Sequence, residues 1–159
     1  MNKAALRDAI VARLEEELAL QTAAANESRE EATDSESRQE GKYDMRGQSA
    51  AYLAAGQAKL AKEIADAIGA FRALPSAAAA PNGAAGLGSV VTLEQNGQRH
   101  AYFLGPARGG LEVEAEGAAV TVVTPASALG SRLIGRRAGE RILSQAGPPP
   151  RYASVLSVA

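Results

Sequence analysis

Apolar residues recur every four positions at Leu6, Ile10, Leu14 and Leu18, with Ala4, Val11 and Ala25 widening the stripe. That pattern predicts an amphipathic helix with one buried face from Asn2 to about Glu31. Arg13 and Glu17 are spaced to pair at i,i+4, and Glu15, Glu16, Glu30 and Glu31 hold the outer face in water. A second pattern alternates spacings of three and four through Tyr43, Arg46, Ala50, Leu53, Gln57, Leu60, Ile64, Ala67, Phe71 and Leu74, which is the a/d seam of a coiled coil. Gly41, Gly47 and Gly56 each weaken it by roughly 1 kcal/mol against Ala, so a close approach to the first helix or a local bend is expected there. Pro75 ends the pattern. The polar stretch between the two patterns, near 33–40, is short enough to join neighbouring helices, so residues 1–75 are predicted to form an antiparallel helical hairpin. Thirty residues of helix make an arm about 45 Å long.

Residues 76–86, Ser76-Ala77-Ala78-Ala79-Ala80-Pro81-Asn82-Gly83-Ala84-Ala85-Gly86, form a small-residue linker, and beyond it the periodicity turns from helical to alternating. Val90 to Gln95 and Gln98 to Leu104 flank Asn96-Gly97, a strong hairpin signal. After a wide turn at Gly105 to Gly110, Leu111 to Glu116 alternates strictly, with Leu111, Val113 and Ala115 on one side and three glutamates on the other. Val120 to Val123 predicts a strand stopped by Pro125. Ser127 is placed to N-cap a short helix from Ala128 to Ile134, in which Leu129 and Leu133 share a face. Arg141 to Leu143 and Tyr152 to Val158 supply the last strands. The fold class expected is α+β: the helical hairpin, then a small antiparallel sheet domain with one short helix over 87–159.

Composition narrows the chemistry. The 159 residues include no Cys, one His, no Trp and two Phe. Disulfides, Cys-based zinc sites, histidine-rich metal sites and a large aromatic-lined substrate cavity are thereby excluded. Residues 1–80 carry a net charge of −3 and residues 81–159 a net +2, within a total of −1. Neither half has the field that grips nucleic acid by its phosphates, so protein partners are expected and sequence-specific nucleic-acid binding is not. Charge interrupts the N-terminus too early for a signal sequence, and no apolar run approaches the ~20 residues of a membrane span, which predicts a cytoplasmic protein without membrane contact.

Carboxylates crowd the tip of the predicted hairpin: Asp34, Glu36, Glu40 and Asp44. Helix capping is the simplest role for any one of them, because Thr33 with Glu36, and Ser37 with Glu40, have capping-box spacing. Their number argues otherwise, since Glu36, Glu40 and Asp44 repeat at i,i+4, where like charges repel by a few tenths of a kcal/mol per pair. Arg38, Lys42 and Arg46 read as helix-surface partners of these acids. His100 reads as a surface or core residue. Arg132, Arg136, Arg137 and Arg141 read equally as a basic docking face or a solvated surface.

The acidic hairpin, followed by Thr124-Pro125-Ala126-Ser127-Ala128-Leu129-Gly130-Ser131-Arg132-Leu133-Ile134-Gly135-Arg136-Arg137-Ala138-Gly139-Glu140, resembles the GreA/GreB family of bacterial transcription elongation factors over nearly the whole chain. The resemblance implies an FKBP-like C-terminal domain that docks on RNA polymerase near its secondary channel, with Pro125, Ser127, Leu129, Gly130, Leu133 and Gly135 as the docking motif. It also implies a coiled coil that enters the channel, where Asp34, Glu36 and Glu40 act in trans beside the polymerase's Mg²⁺ and stimulate cleavage of backtracked RNA. The factor would be a monomer with no cofactor of its own and no independent enzymatic activity. The family tip reads Gly-Asp, then Glu-Asn three residues after the Asp, then Tyr. Here the order is Asp34, Glu36, Glu40, Gly41, Tyr43. Distance to Tyr43 matches Glu40 to the family glutamate and leaves Glu36 or Asp34 as its partner. The altered spacing keeps a second reading open, a channel-binding regulator without cleavage activity. A prolyl isomerase is disfavoured, because only Tyr102, Phe103 and Tyr152 are available to line a pocket. A coiled-coil adaptor or homodimer with an inert tip is the other alternative.

Overall fold

A computed structural model describes residues 2–37, 45–75 and 83–159. The expectations for Arg38, Glu40, Gly41, Lys42, Tyr43, Asp44 and linker residues 76–82 lie outside the described residues. The chain divides into two compact units, residues 1–11 with 69–159, and residues 12–68.

The first unit is a six-stranded sheet with the base turns of two helices. β1 (Val90–Gln95) and β2 (Gln98–Leu104) form the expected hairpin, in register from Val90↔Phe103 to Gln95↔Gln98. Asn96 (φ 53°) and Gly97 (φ 78°) are both left-handed, as a two-residue type I′ turn requires. A second turn of the same kind, Glu116 (φ 52°) and Gly117 (φ 74°), joins β3 (Glu112–Ala115) to β4 (Ala118–Val123), so Glu116 belongs to the turn and not to the strand. With β5 (Arg141–Gln145) and β6 (Arg151–Val158) the strand order is β3-β4-β2-β1-β6-β5.

The sheet is mixed, not purely antiparallel, because β4 pairs with β2 in parallel, Ala101↔Val120 to Leu104↔Val123. After the loop at Gly105–Gly110, β3 leaves one strand's width beside β2, and the Glu116-Gly117 hairpin folds β4 back into that slot. One sheet face carries Val91, Leu93, Leu104, Val123, Ile142, Ala153 and Val155, closed over by Ala85 and by Leu133 of the short helix α3 (Gly130–Leu133). On the other face Phe71 stacks on Phe103 at 6.2 Å between ring centroids. Gly105 lies under that ring, since a Cβ there would stand 2.8 Å from Val122 and 3.0 Å from Phe71. Helix α1 (Lys3–Ser37) begins in this unit. Asn2 Oδ1 accepts the amides of Ala4 (3.0 Å) and Ala5 (3.3 Å), an N-cap, while the Asn2 amide donates to Glu116 at 2.9 Å. That hydrogen bond holds the Glu116 carboxyl below its ordinary pKa.

The second unit pairs the rest of α1 with α2 (Met45–Arg72). Leu14, Ile64, Ala67 and Ile68 are buried. Farther along the helices the expected continuous seam gives way: Leu60 and Gln57 are half-buried, and Leu53 is 53% exposed. In its place is a cavity of about 570 Å³ lined by Ala25, Arg29 and Thr33 of α1 and by Ala51, Ala54 and Ala58 of α2, where alanine side chains are too short to fill the space. Gly56 does not mark a close approach, because a Cβ built there meets nothing within 4 Å. Antiparallel packing follows from chain length. Parallel helices sharing this cavity would require a return of about 30 Å along the axis in eight Cα steps, which reach at most about 28 Å before any sideways displacement. Arg13 reaches Glu16 at 3.7 Å, an i,i+3 pair, and Lys62 bonds Asp66 at 2.7 Å, which raises the lysine pKa.

Candidate functional site

The first helix continues six residues beyond the predicted end at Glu31, to Ser37. No Gly or Pro stands between Asn2 and Glu40 to stop it. Thr33 Oγ1 donates to the carbonyl of Arg29 at 3.0 Å, the i−4 bond of a mid-helix threonine. Thr33 is therefore not an N-cap, and the Thr33/Glu36 capping box does not form. The Ser37/Glu40 box lies outside the described residues.

Asp34 and Glu36 accordingly sit in the last turn of α1, where no basic residue accompanies them. Capping would have placed them at the opposite end. Their positions also differ by about 200° around the axis, at 100° per residue. Glu36 continues the stripe of Ala25, Arg29 and Thr33 that lines the cavity, whereas Asp34 lies in line with Glu30 on the far side. The two positions do not present one bidentate site from the helix alone. Among the described residues, no group of three His, Cys, Asp or Glu is arranged to hold a metal ion. Mg²⁺ commonly takes only one or two protein carboxylates and completes its shell from water and phosphate oxygens, so one carboxylate at the helix end fits a metal held mainly by another molecule.

The loop predicted to dock builds itself first. Ser127 Oγ donates to the Thr124 carbonyl (2.8 Å) and accepts the Gly130 amide (3.0 Å), pinning the turn before α3. The predicted capping bond is thus made, although the helix spans only Gly130–Leu133 and not Ala128 to Ile134. Gly130 has no room for a side chain, because a Cβ would collide with the Thr124 carbonyl oxygen. Leu133 is fully buried, and Gly135 (φ 79°) donates to Ala85 O at 2.7 Å while Ala85 donates to Arg136 O at 2.7 Å. Pro125 and Leu129 are half-buried. Gly130 and Leu133 are buried and shape the motif from within.

The four arginines divide in role. Arg132 Nη1 donates to the Leu143 carbonyl at 2.9 Å, Arg136 pairs with Glu140 at 3.2 Å, Arg137 is exposed, and Arg141 lies 5.5 Å from the centre of the Tyr152 ring. The Arg141–Tyr152 contact was invisible in the sequence, since it needs the β5–β6 pairing to bring the two together. His100 is exposed on β2.

These features define an α+β protein in which a helix ends in carboxylates and a mixed sheet unit carries a rigid, glycine-pinned loop. No protein-family model and no curated protein matches the sequence. Among solved structures the chain is similar to GreA factor homolog 1 (Gfh1) of Thermus thermophilus, at 19% identity and a TM-score of 0.38, over 94% of each chain. It is similar as well to a structure of the transcription factor Gfh1 (20%, TM-score 0.40, 94% of this chain and 93% of that one) and to Thermus aquaticus Gfh1 (20%, TM-score 0.39, 92% of each).

Proposed function

We propose that this chain is a transcription factor of the Gre type, which binds RNA polymerase at its secondary channel and carries the acidic end of its helical unit to the polymerase active site. The observation that carries the reading is the placement of Asp34 and Glu36 within α1 just beyond Thr33, whose hydroxyl bonds back to Arg29 as a mid-helix threonine does, so that neither carboxylate caps a helix start there. Carboxylates with no capping role at that position are explained if a cation meets them in a partner. The motif from Thr124 to Glu140 supports the same reading by its resemblance to the family's docking segment. In this role the chain is not an enzyme by itself. A carboxylate from its tip assists a metal that the polymerase holds, where a second metal-bound water can attack the RNA backbone.

A second reading, occupancy of the channel without stimulation of cleavage, is favoured by one observation: Asp34 and Glu36 lie about 200° apart on the helix. Stalled, backtracked elongation complexes separate the two. The first reading predicts faster release of 3′-terminal RNA fragments on adding the protein. Binding with no change in cleavage rate rejects it in favour of the second, and the absence of binding rejects both.

A further inference from the structure

The first backbone amides of a helix have no partner within it, and a capping box satisfies them in two directions. The N-cap side chain accepts an amide up to three residues on, and a Glu or Gln at that third position reaches back to the N-cap amide. Helix α1 has only the first half of this device. Asn2 Oδ1 accepts the amides of Ala4 and Ala5, but the third position after Asn2 is Ala5 itself, which has no side-chain acceptor. The missing half comes from another element. Glu116 Oε1 accepts the Asn2 amide at 2.9 Å, from 114 positions along the chain.

Turn chemistry does not ask for a glutamate there. Glu116 (φ 52°) opens the two-residue turn between β3 and β4, where left-handed backbone favours Gly, Asn or Asp. The β1–β2 turn of the same sheet keeps to that preference with Asn96-Gly97. A side chain held in a disfavoured backbone region points to a duty beyond the turn. The carboxylate of Glu116 lies at the start of a helix, the end that favours negative charge.

The bond is one of three ties at the base of the helices, all within the unit of residues 1–11 and 69–159. Phe71 of α2 stacks on Phe103 of β2, and Arg7 of α1 donates to the Leu74 carbonyl just past α2 at 3.2 Å. Glu116 joins the first turn of α1 to the β3–β4 turn directly.

We propose that Glu116 completes the N-terminal cap of α1 from across the fold and is thereby a positioning residue for the carboxylates near the other end of that helix. α1 is unbroken from Lys3 to Ser37, so a capped first turn starts it from one place, whereas a frayed one lets it start from several. The inference rests on the polymerase-binding reading and deepens it, by naming what holds the root of the helix that carries Asp34 and Glu36.

The test uses the full-length protein with a photo-crosslinking amino acid at Ser35, bound to backtracked elongation complexes, beside amide hydrogen exchange of the free protein. Glu116→Gly removes the carboxylate and relaxes the left-handed turn, so the melting midpoint of the sheet unit is expected to hold or rise. Glu116→Gln keeps an oxygen acceptor for the Asn2 amide. In Glu116→Gly, exchange at Ala4 and Ala5 is expected to quicken by on the order of fivefold, the usual weight of a lost cap. Adducts to the RNA 3′ end are expected to fall severalfold. Glu116→Gln is expected to match wild type in both readouts. Wild-type adduct yield from Glu116→Gly overturns the inference, whatever the exchange rates. Reduced adducts with unchanged exchange overturn it as well, because the effect then bypasses the cap. Wild-type protein that gives no adducts in the channel rejects the polymerase reading itself, and the positioning role falls with it.

Discussion

Gly130 shows how one residue can look functional and act structurally. It belongs to the motif that resembles a docking segment, yet its backbone lies so close to Thr124 that no Cβ fits, while Ser127 bridges the same two residues through its hydroxyl. Gly130→Ala is expected to destabilise the sheet unit by about 1–3 kcal/mol, the usual cost of overpacking against atoms that cannot move aside. A lowered denaturation midpoint with an unchanged denaturant slope checks it. Asp34 and Glu36 are the reverse case. Their residue types were legible as candidate chemistry, with capping as the competing role for any one of them, because a sequence does not say whether a polar stretch begins a helix or continues one. The Thr33 hydroxyl, bonded to Arg29, decides between the two.

At the scale of elements, the sequence was most legible where a local rule acts alone. Asn96-Gly97 predicts the β1–β2 hairpin to the residue because both positions need left-handed backbone, for which these residue types are suited. The parallel β2–β4 pair was not legible, since its partners are about twenty residues apart and the order depends on where β3 leaves room. The coiled-coil seam was half legible. Its large residues Ile64 and Phe71 are buried as expected, whereas the alanine-rich stretch has the spacing of a seam without the volume to close one. Gly56 therefore has no packing duty that the structure reveals, and it is exposed within a continuous helix. Gly56→Ala is expected to stabilise α2 by about 0.5–1 kcal/mol. A raised melting midpoint checks this, and a lowered one would contradict it.

At the scale of the molecule, charge separates along the chain. Residues 1–80 are net negative and residues 81–159 net positive. Both functional readings share one central claim, that the end of α1 reaches the active centre of RNA polymerase. Ser35 lies between Asp34 and Glu36, so a photo-crosslinking amino acid at that position reports on it directly. In elongation complexes the account predicts adducts to the lining of the secondary channel and to the RNA 3′ end. Tight binding with adducts confined to the outer surface of the polymerase would contradict it.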